Sequence, residues 1–284
     1  MIDIHTHPVQ IAELLDGDPE LRRAVHDVFG LFIAPQPLRT YELHLDEAGI
    51  DKAVVLPIDC TTAHGLKVVS NEQVVRLMEM TDRVIGFASV DPREADAPAK
   101  LEKAVKEYGL VGLKLDPALQ QFDPADPETA FPVYQACVEL DIPVLIHCGL
   151  SWAPKGRSAR ANPLALEEVV HAFPELRIVI PHFGWPWVNE SVMLALKHRN
   201  VHLDTSILYS GTPPESLRHV LEGVGLDLLD RSLHEQVLFG SNYPRVDPKR
   251  VADGVRRLGL RPTLERKVFH DNAARLLRLE GTAA

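Results

Sequence analysis

Eight short apolar runs, each followed by a longer amphipathic stretch, constrain this chain more than any other feature of its sequence. They are Ile2–His5, Ala53–Pro57, Val84–Val90, Val111–Leu115, Pro143–His147, Ile178–His182, Val201–Asp204 and Val237–Gly240. Each is rich in Val, Ile and Leu and apolar at odd and even positions alike. That is the habit of a parallel strand covered on both faces, not of a sheet with one face in water. Helical spacing fills the gaps at Leu38–Ala48, Asn71–Met80, Ala97–Tyr108, Phe131–Leu140, Pro163–Ala172, Glu190–Lys197, Pro214–Gly223 and Leu264–Leu279. Eight strands alternating with helices predict an α/β fold of the (β/α)8 TIM-barrel type. No Gly/Ser linker or change of composition interrupts the 284 residues, so a single domain over 1–284 is expected. Its one large excursion follows the first strand, at about residues 8–39.

Composition narrows the function classes. A hydrophobic fraction of 45% and a charged fraction of 25% are those of an ordinary globular protein. The formal net charge of −10 argues against nucleic acid or an anionic membrane as partner, because both need a basic face. No apolar run spans a bilayer, and no signal-peptide pattern opens the chain. Cys60, Cys137 and Cys148 are odd in number and lack CxxC spacing, which fits a reducing cytoplasm better than a disulfide framework.

In a barrel of this kind the chemistry lies where strands end. The residues there are His5 and His7, Asp59, Asp91, Asp116, His147, His182, Asp204 and Asn242. Residues i and i+2 share a face of a strand, so the two imidazoles of "IDIHTHP" converge on one side. Neutral imidazole is a ligand for zinc and similar ions, and a catalytic site needs about three protein ligands plus an open position. His-x-His alone is weak evidence. "VLIHCG" and "IVIPHFG" on neighbouring strands strengthen it by supplying His147 and His182. The helix histidines His44, His171, His198, His219 and His234 read as surface or packing residues.

The ordered motifs "IDIHTHP", "GLKLDP", "PVLIHCG", "IPHFGWPW", "LDTS", "VLFGSNYP" and the terminal "HDNAARLLRL" resemble the amidohydrolase superfamily. The resemblance is narrower to the amidohydrolase-related branch, which holds aminocarboxymuconate-semialdehyde and resorcylate-type decarboxylases and lactone hydrolases. It implies one divalent metal on His5, His7 and His147, with zinc expected and manganese, iron or cobalt as alternatives. It places His182 beside the metal-bound water as the group that orients or deprotonates it. The family's strand-eight aspartate, in a "GSDYP"-like turn, is Asn242 here. An amide carries no charge and takes no proton near neutral pH, so an anionic ligand and a base are lost together.

Three readings of that departure follow. The metal rests on the three histidines with His182 as base; or Asp116, which stands where relatives have the histidine of "KLHP", compensates; or the barrel works without a metal. Lys114 as a carbamylated bridge between two metals is disfavoured, and Asp204 suits a group that fixes an imidazole tautomer. Arg157 and Arg160, with Lys155, form a basic loop suited to a substrate carboxylate, and Trp185 is a candidate pocket wall beside Trp152. The expected activity is hydrolysis of a small amide, lactone or ester by a metal-activated water. The alternatives are nonoxidative decarboxylation of an aromatic or muconate-type acid, and a metal-free lactonase or non-catalytic ligand-binding barrel. The resemblance also implies a homodimer.

Overall fold

The structure is a computed structural model that describes residues 1–207 and 211–279. Its barrel strands are β1 (Ile2–Thr6), β2 (Lys52–Val55), β3 (Val84–Gly86), β4 (Leu113–Leu115), β5 (Val144–Ile146), β6 (Ile178–Ile180), β7 (Val201–Asp204) and β8 (Val237–Leu238). Within β1–β3 and within β4–β8 every neighbour is parallel and consecutive in the chain. Two seams of backbone hydrogen bonds join these arcs. Between β3 and β4, Ala88 N–H donates to Gly112 O at 2.7 Å and Lys114 N–H to Ala88 O at 2.7 Å. Between β8 and β1, Ile4 N–H donates to Phe239 O at 2.9 Å and Asn242 N–H to His5 O at 2.9 Å. The ring is an eight-stranded TIM barrel.

Alternation sorts the side chains into two layers. Ile2, Ile4, Val54, Leu56, Phe87, Leu145, Val179 and Leu238 form one buried cluster inside the barrel, joined by Ala273, Ala274 and Leu276 of the last helix. The opposite parity, including Val55, Leu113, Ile146, Ile180 and Leu203, packs outward with helix residues such as Leu45, Leu77, Leu101, Leu166 and Leu217. This two-sided burial is why the strands read apolar at both parities. Gly112 makes room for the interior: a Cβ there would stand 2.4 Å from the Phe87 ring.

One irregularity prepares the site. Asp3 pairs with Ala53 but Thr6 with Val55, so β1 carries one extra residue between those pairs. A bulge of this kind re-aims the side chains beyond it. Ile2 and Ile4 lie in the inner layer, and past the bulge His5 and His7 line the cavity at the barrel mouth.

Strands β2, β3, β5, β6 and β8 end earlier than their apolar runs suggest, whereas β4 and β7 end with theirs and β1 runs one residue further. The sequence reading also missed an antiparallel pair, Ile58–Cys60 with Leu66–Val68, in the connection after β2. Asp59 anchors it through an ion pair with Lys67 at 2.8 Å. The excursion after β1 holds helices Ala12–Leu15 and Pro19–Arg23 and a π-helical turn, Ala24–Phe29. The expected terminal helix is broken into Pro262–Arg266, a π-turn at Lys267–Asp271, and Asn272–Leu276. No helix among the described residues is long and apolar enough to cross a membrane.

Candidate active site at the barrel mouth

His5, His7, Lys114, Asp116, His147, His182, Asn242 and Arg245 line one cavity, together with Phe29, Leu150 and Trp152. The hydrogen bonds of the imidazoles define their tautomers. His7 Nδ1 lies 3.0 Å from the Leu56 carbonyl, which can only accept, so Nδ1 carries the proton. His5 Nδ1 lies 2.9 Å from Asp204 Oδ2 and donates to that carboxylate. Both Nε2 atoms therefore present lone pairs, and they face each other at 3.2 Å. Burial pushes both histidines well below their ordinary pKa, so neither takes a proton to relieve the repulsion. A cation between them does. Around a tetrahedral zinc with bonds of about 2.0–2.1 Å, neighbouring nitrogens lie roughly 3.3 Å apart.

His147 adds the third donor. Its Nε2 is buried without a hydrogen-bond partner, an unsatisfied nitrogen of the kind a metal satisfies. The paired Nε2 atoms of His5 and His7 fit a divalent ion, with His147 on the same cavity wall, and the carboxylate behind His5 and carbonyl behind His7 are the supports that orient metal-binding imidazoles. His5, His182 and Asp204 also cluster tightly. Their contacts are a hydrogen-bonded buttress, however, because the nitrogens facing Asp204 and Ser206 are already engaged.

His182 sits at φ 59°, ψ 21°, a left-handed conformation rare outside glycine. Asp204 Oδ1 holds it there by accepting from the His182 N–H at 2.8 Å, and from Ser206 N–H at 3.0 Å. His182 Nδ1 donates to the Ser206 carbonyl at 2.7 Å, which leaves Nε2 unprotonated. Burial and the neighbouring imidazoles of His5 and His147 hold its pKa well down. Asn242, also left-handed at φ 64°, completes the wall after β8.

The other expected residues distribute unevenly. Asp116 lines the cavity, but its Oδ1 caps the helix Pro117–Gln120 by accepting from Leu119 N–H at 2.9 Å. Trp185 lines an adjoining hollow with Ser206 and Ile207. Arg157 and Arg160 are exposed and do not line the cavity. Cys148 is buried in the outer layer, with its thiol pKa pushed up by burial. The cation that does reach the cavity from a loop is Arg245, which the sequence reading passed over as one residue beyond "SNYP".

The buried imidazoles set a pH dependence. His5, His7, His147 and His182 are all lowered, chiefly by desolvation, whereas the unfolded chain protonates near pH 6.5. The unfolded state then binds more protons, and native stability falls as pH drops below about 6.5. Asp3, raised to about 7 by burial, works the other way, one group against four. The urea midpoint of metal-free protein is expected to be lower at about pH 5.5 than at about pH 7.5. An equal or higher midpoint at the acid pH would contradict this arrangement.

Fold and site together define a TIM barrel with an imidazole-rich cavity at its strand ends. The family model described as "Amidohydrolase" matches residues 2–279, and the chain belongs to that family. A 2-keto-4-carboxy-3-hexenedioate hydratase of Sphingobium sp. is 29% identical over 205 residues, a match covering 60% of this chain and 56% of that protein. An uncharacterized TIM-barrel protein from Bordetella bronchiseptica superimposes with a TM-score of 0.76 at 22% identity, covering 98% of each chain. A dihydroxybenzoic acid decarboxylase from Polaromonas sp. JS666, solved with bound manganese and 2-nitroresorcinol, gives 0.65 at 17% identity, covering 98% of this chain and 96% of that one.

Proposed function

We propose that this protein is a metal-dependent hydrolase that opens a small amide, lactone or ester, with one divalent ion, zinc first, held by His5, His7 and His147. The observation that carries the reading is the tautomer of His182, an imidazole with its Nε2 unprotonated in the cavity that His5, His7 and His147 also line. The ion, when bound, supplies a Lewis acid and lowers the pKa of a water to about 7. His182 would orient that water and hold its proton at Nε2. The Ser206 carbonyl and hydroxyl fix the ring, and Asp204 holds both the His182 backbone and the His5 ring in register. Asn242 neither donates nor accepts a proton at neutral pH, so His182 is left as base. Decarboxylation asks for an acid that protonates carbon, and a neutral His182 beside an amide supplies none readily. The three free buried cysteines suit a cytoplasmic enzyme.

The test follows proton release and CO2 release together across lactones, esters, amides and aromatic acids. Proton release without CO2 is expected, abolished by a chelator and lowered about 10²–10⁴-fold in His182→Gln. CO2 release from an aromatic acid, with no hydrolysis of any ester, lactone or amide, would replace this reading with the decarboxylase one. Asn242→Asp adds an anionic oxygen in a backbone conformation that Asp also tolerates. It is expected to tighten zinc binding about tenfold in a chelator competition. An unchanged affinity would show that position 242 does not face the ion.

A further inference from the structure

A second group of metal-competent side chains lies outside the cavity, at the opposite end of the barrel. Glu167 and His171 stand four residues apart on the helix Ala165–Ala172 that leads into β6, and so share one of its faces. His198 closes the next helix, Val188–Lys197, just before β7. Both histidines therefore sit where an outer helix turns back into a strand, away from the strand ends that form the mouth. A donor atom of each of the three lies within 4.8 Å of the other two, and the two imidazoles meet edge to face with ring centroids 5.4 Å apart. Among the described residues, His198 Nε2 is buried without a hydrogen-bond partner. Glu167 pairs with Lys197, whose Nζ stands 2.6 Å from Oε1. The place of a cation beside the carboxylate is thus held by a lysine that is half exposed to solvent. Two helix C-termini meet here, and their partial negative charge favours a cation as well. Read singly along the chain these histidines are surface residues; packing of the two helices makes them a pair.

We infer that Glu167, His171 and His198 form a second metal site, separate from the mouth, that takes an exchangeable transition-metal dication of the zinc type. Two imidazoles and a carboxylate suit zinc, nickel or copper rather than calcium or magnesium, and leave a fourth position to water. A tetrahedral ion needs donors roughly 3.3 Å apart, so the three close by side-chain rotation, which their exposed or half-buried setting permits. Lys197 moves into solvent as the ion enters, and the ion ties together the helices that follow β5 and β6. Competition from Lys197 and access to water keep the dissociation constant on the order of 10 µM. Such an ion leaves on desalting, so metal counted after purification belongs to the mouth alone. The inference does not depend on the hydrolase reading.

The test is equilibrium dialysis of chelator-treated protein against zinc at about 100 µM, roughly ten times the expected dissociation constant. Wild type is expected to bind one equivalent more than either His171→Ala or His198→Ala. At that concentration zinc should raise the melting temperature about 2–4 °C more in wild type than in His171→Ala. Lys197→Met is expected to tighten the extra equivalent about tenfold, because the competing ammonium has gone. Should His198→Ala fail to fold, Glu167→Gln keeps the shape and is expected to weaken the extra equivalent at least about tenfold. Equal zinc stoichiometry in wild type and His171→Ala overturns the site, and so does an unchanged affinity in Lys197→Met, which would place the ion away from Glu167. If the mouth binds no metal, wild type still takes one equivalent and His171→Ala none. If the mouth alone binds, every one of these variants matches wild type and the second site falls.

Discussion

Replacing His147 by alanine is expected to abolish stoichiometric binding of a divalent metal and to lower kcat/KM by about 10³ or more. The three histidines are the minimum protein set for a catalytic zinc, and removing one leaves two neutral nitrogens with only the amide of Asn242 at the strand-eight position. The substitution should be mild for the fold. His147 lies on the cavity wall, and its Nε2 makes no hydrogen bond that would be lost. Its melting temperature should stay close to that of the metal-free wild type. Metal analysis of the purified variant beside steady-state kinetics decides the matter. A variant that retains one tightly held equivalent would remove His147 from the ligand set.

Asp204→Ala is expected to act on stability and metal binding at once. The carboxylate accepts from His5 Nδ1, His182 N–H, Ser206 N–H and the Ser206 hydroxyl, and it is fully buried. Alanine orphans these donors at about 1–3 kcal/mol each where no water enters, so a loss of about 3–5 kcal/mol is expected. That lowers the melting temperature by roughly 6–20 °C. Asp204→Asn keeps an acceptor oxygen and much of the stability, yet it no longer holds the proton on His5 Nδ1. Zinc affinity should therefore fall about 10–100-fold in Asp204→Asn with only a small change in melting temperature. Equal metal affinity in wild type and Asp204→Asn would show that the tautomer of His5 does not matter.

The barrel was legible in the sequence because strands buried on both faces leave a simple trace, short apolar runs with no alternation. Strand ends were less legible. Val84–Val90 reads as one run, but the ladder stops at Gly86 and resumes only as single bonds around Ala88. The hairpin after β2 was missed because strands of three residues carry almost no periodic signal. It is held by contacts distant in sequence, such as Asp59 N–H to Ser89 Oγ at 3.0 Å.

The cations show the same limit. Lys155, Arg157 and Arg160 form a visible basic cluster, yet the structure leaves them in solvent. Arg245 is a single residue with no local pattern. Its place in the cavity is decided by Phe29, which lies 216 residues earlier in the chain and arrives through the excursion after β1.

What the sequence by itself determined is which strands close the barrel and which polar residues stand at their ends, because both follow from local order along the chain. What only the tertiary structure decided is how those residues face one another. The bulge in β1 turns His5 and His7 inward. Asp204 and the Leu56 carbonyl set their protons, and Phe29 with the barrel interior strips Arg245 and Lys114 of water. Tautomer and desolvation depend on atoms brought together from opposite ends of the chain, and no stretch of sequence holds them.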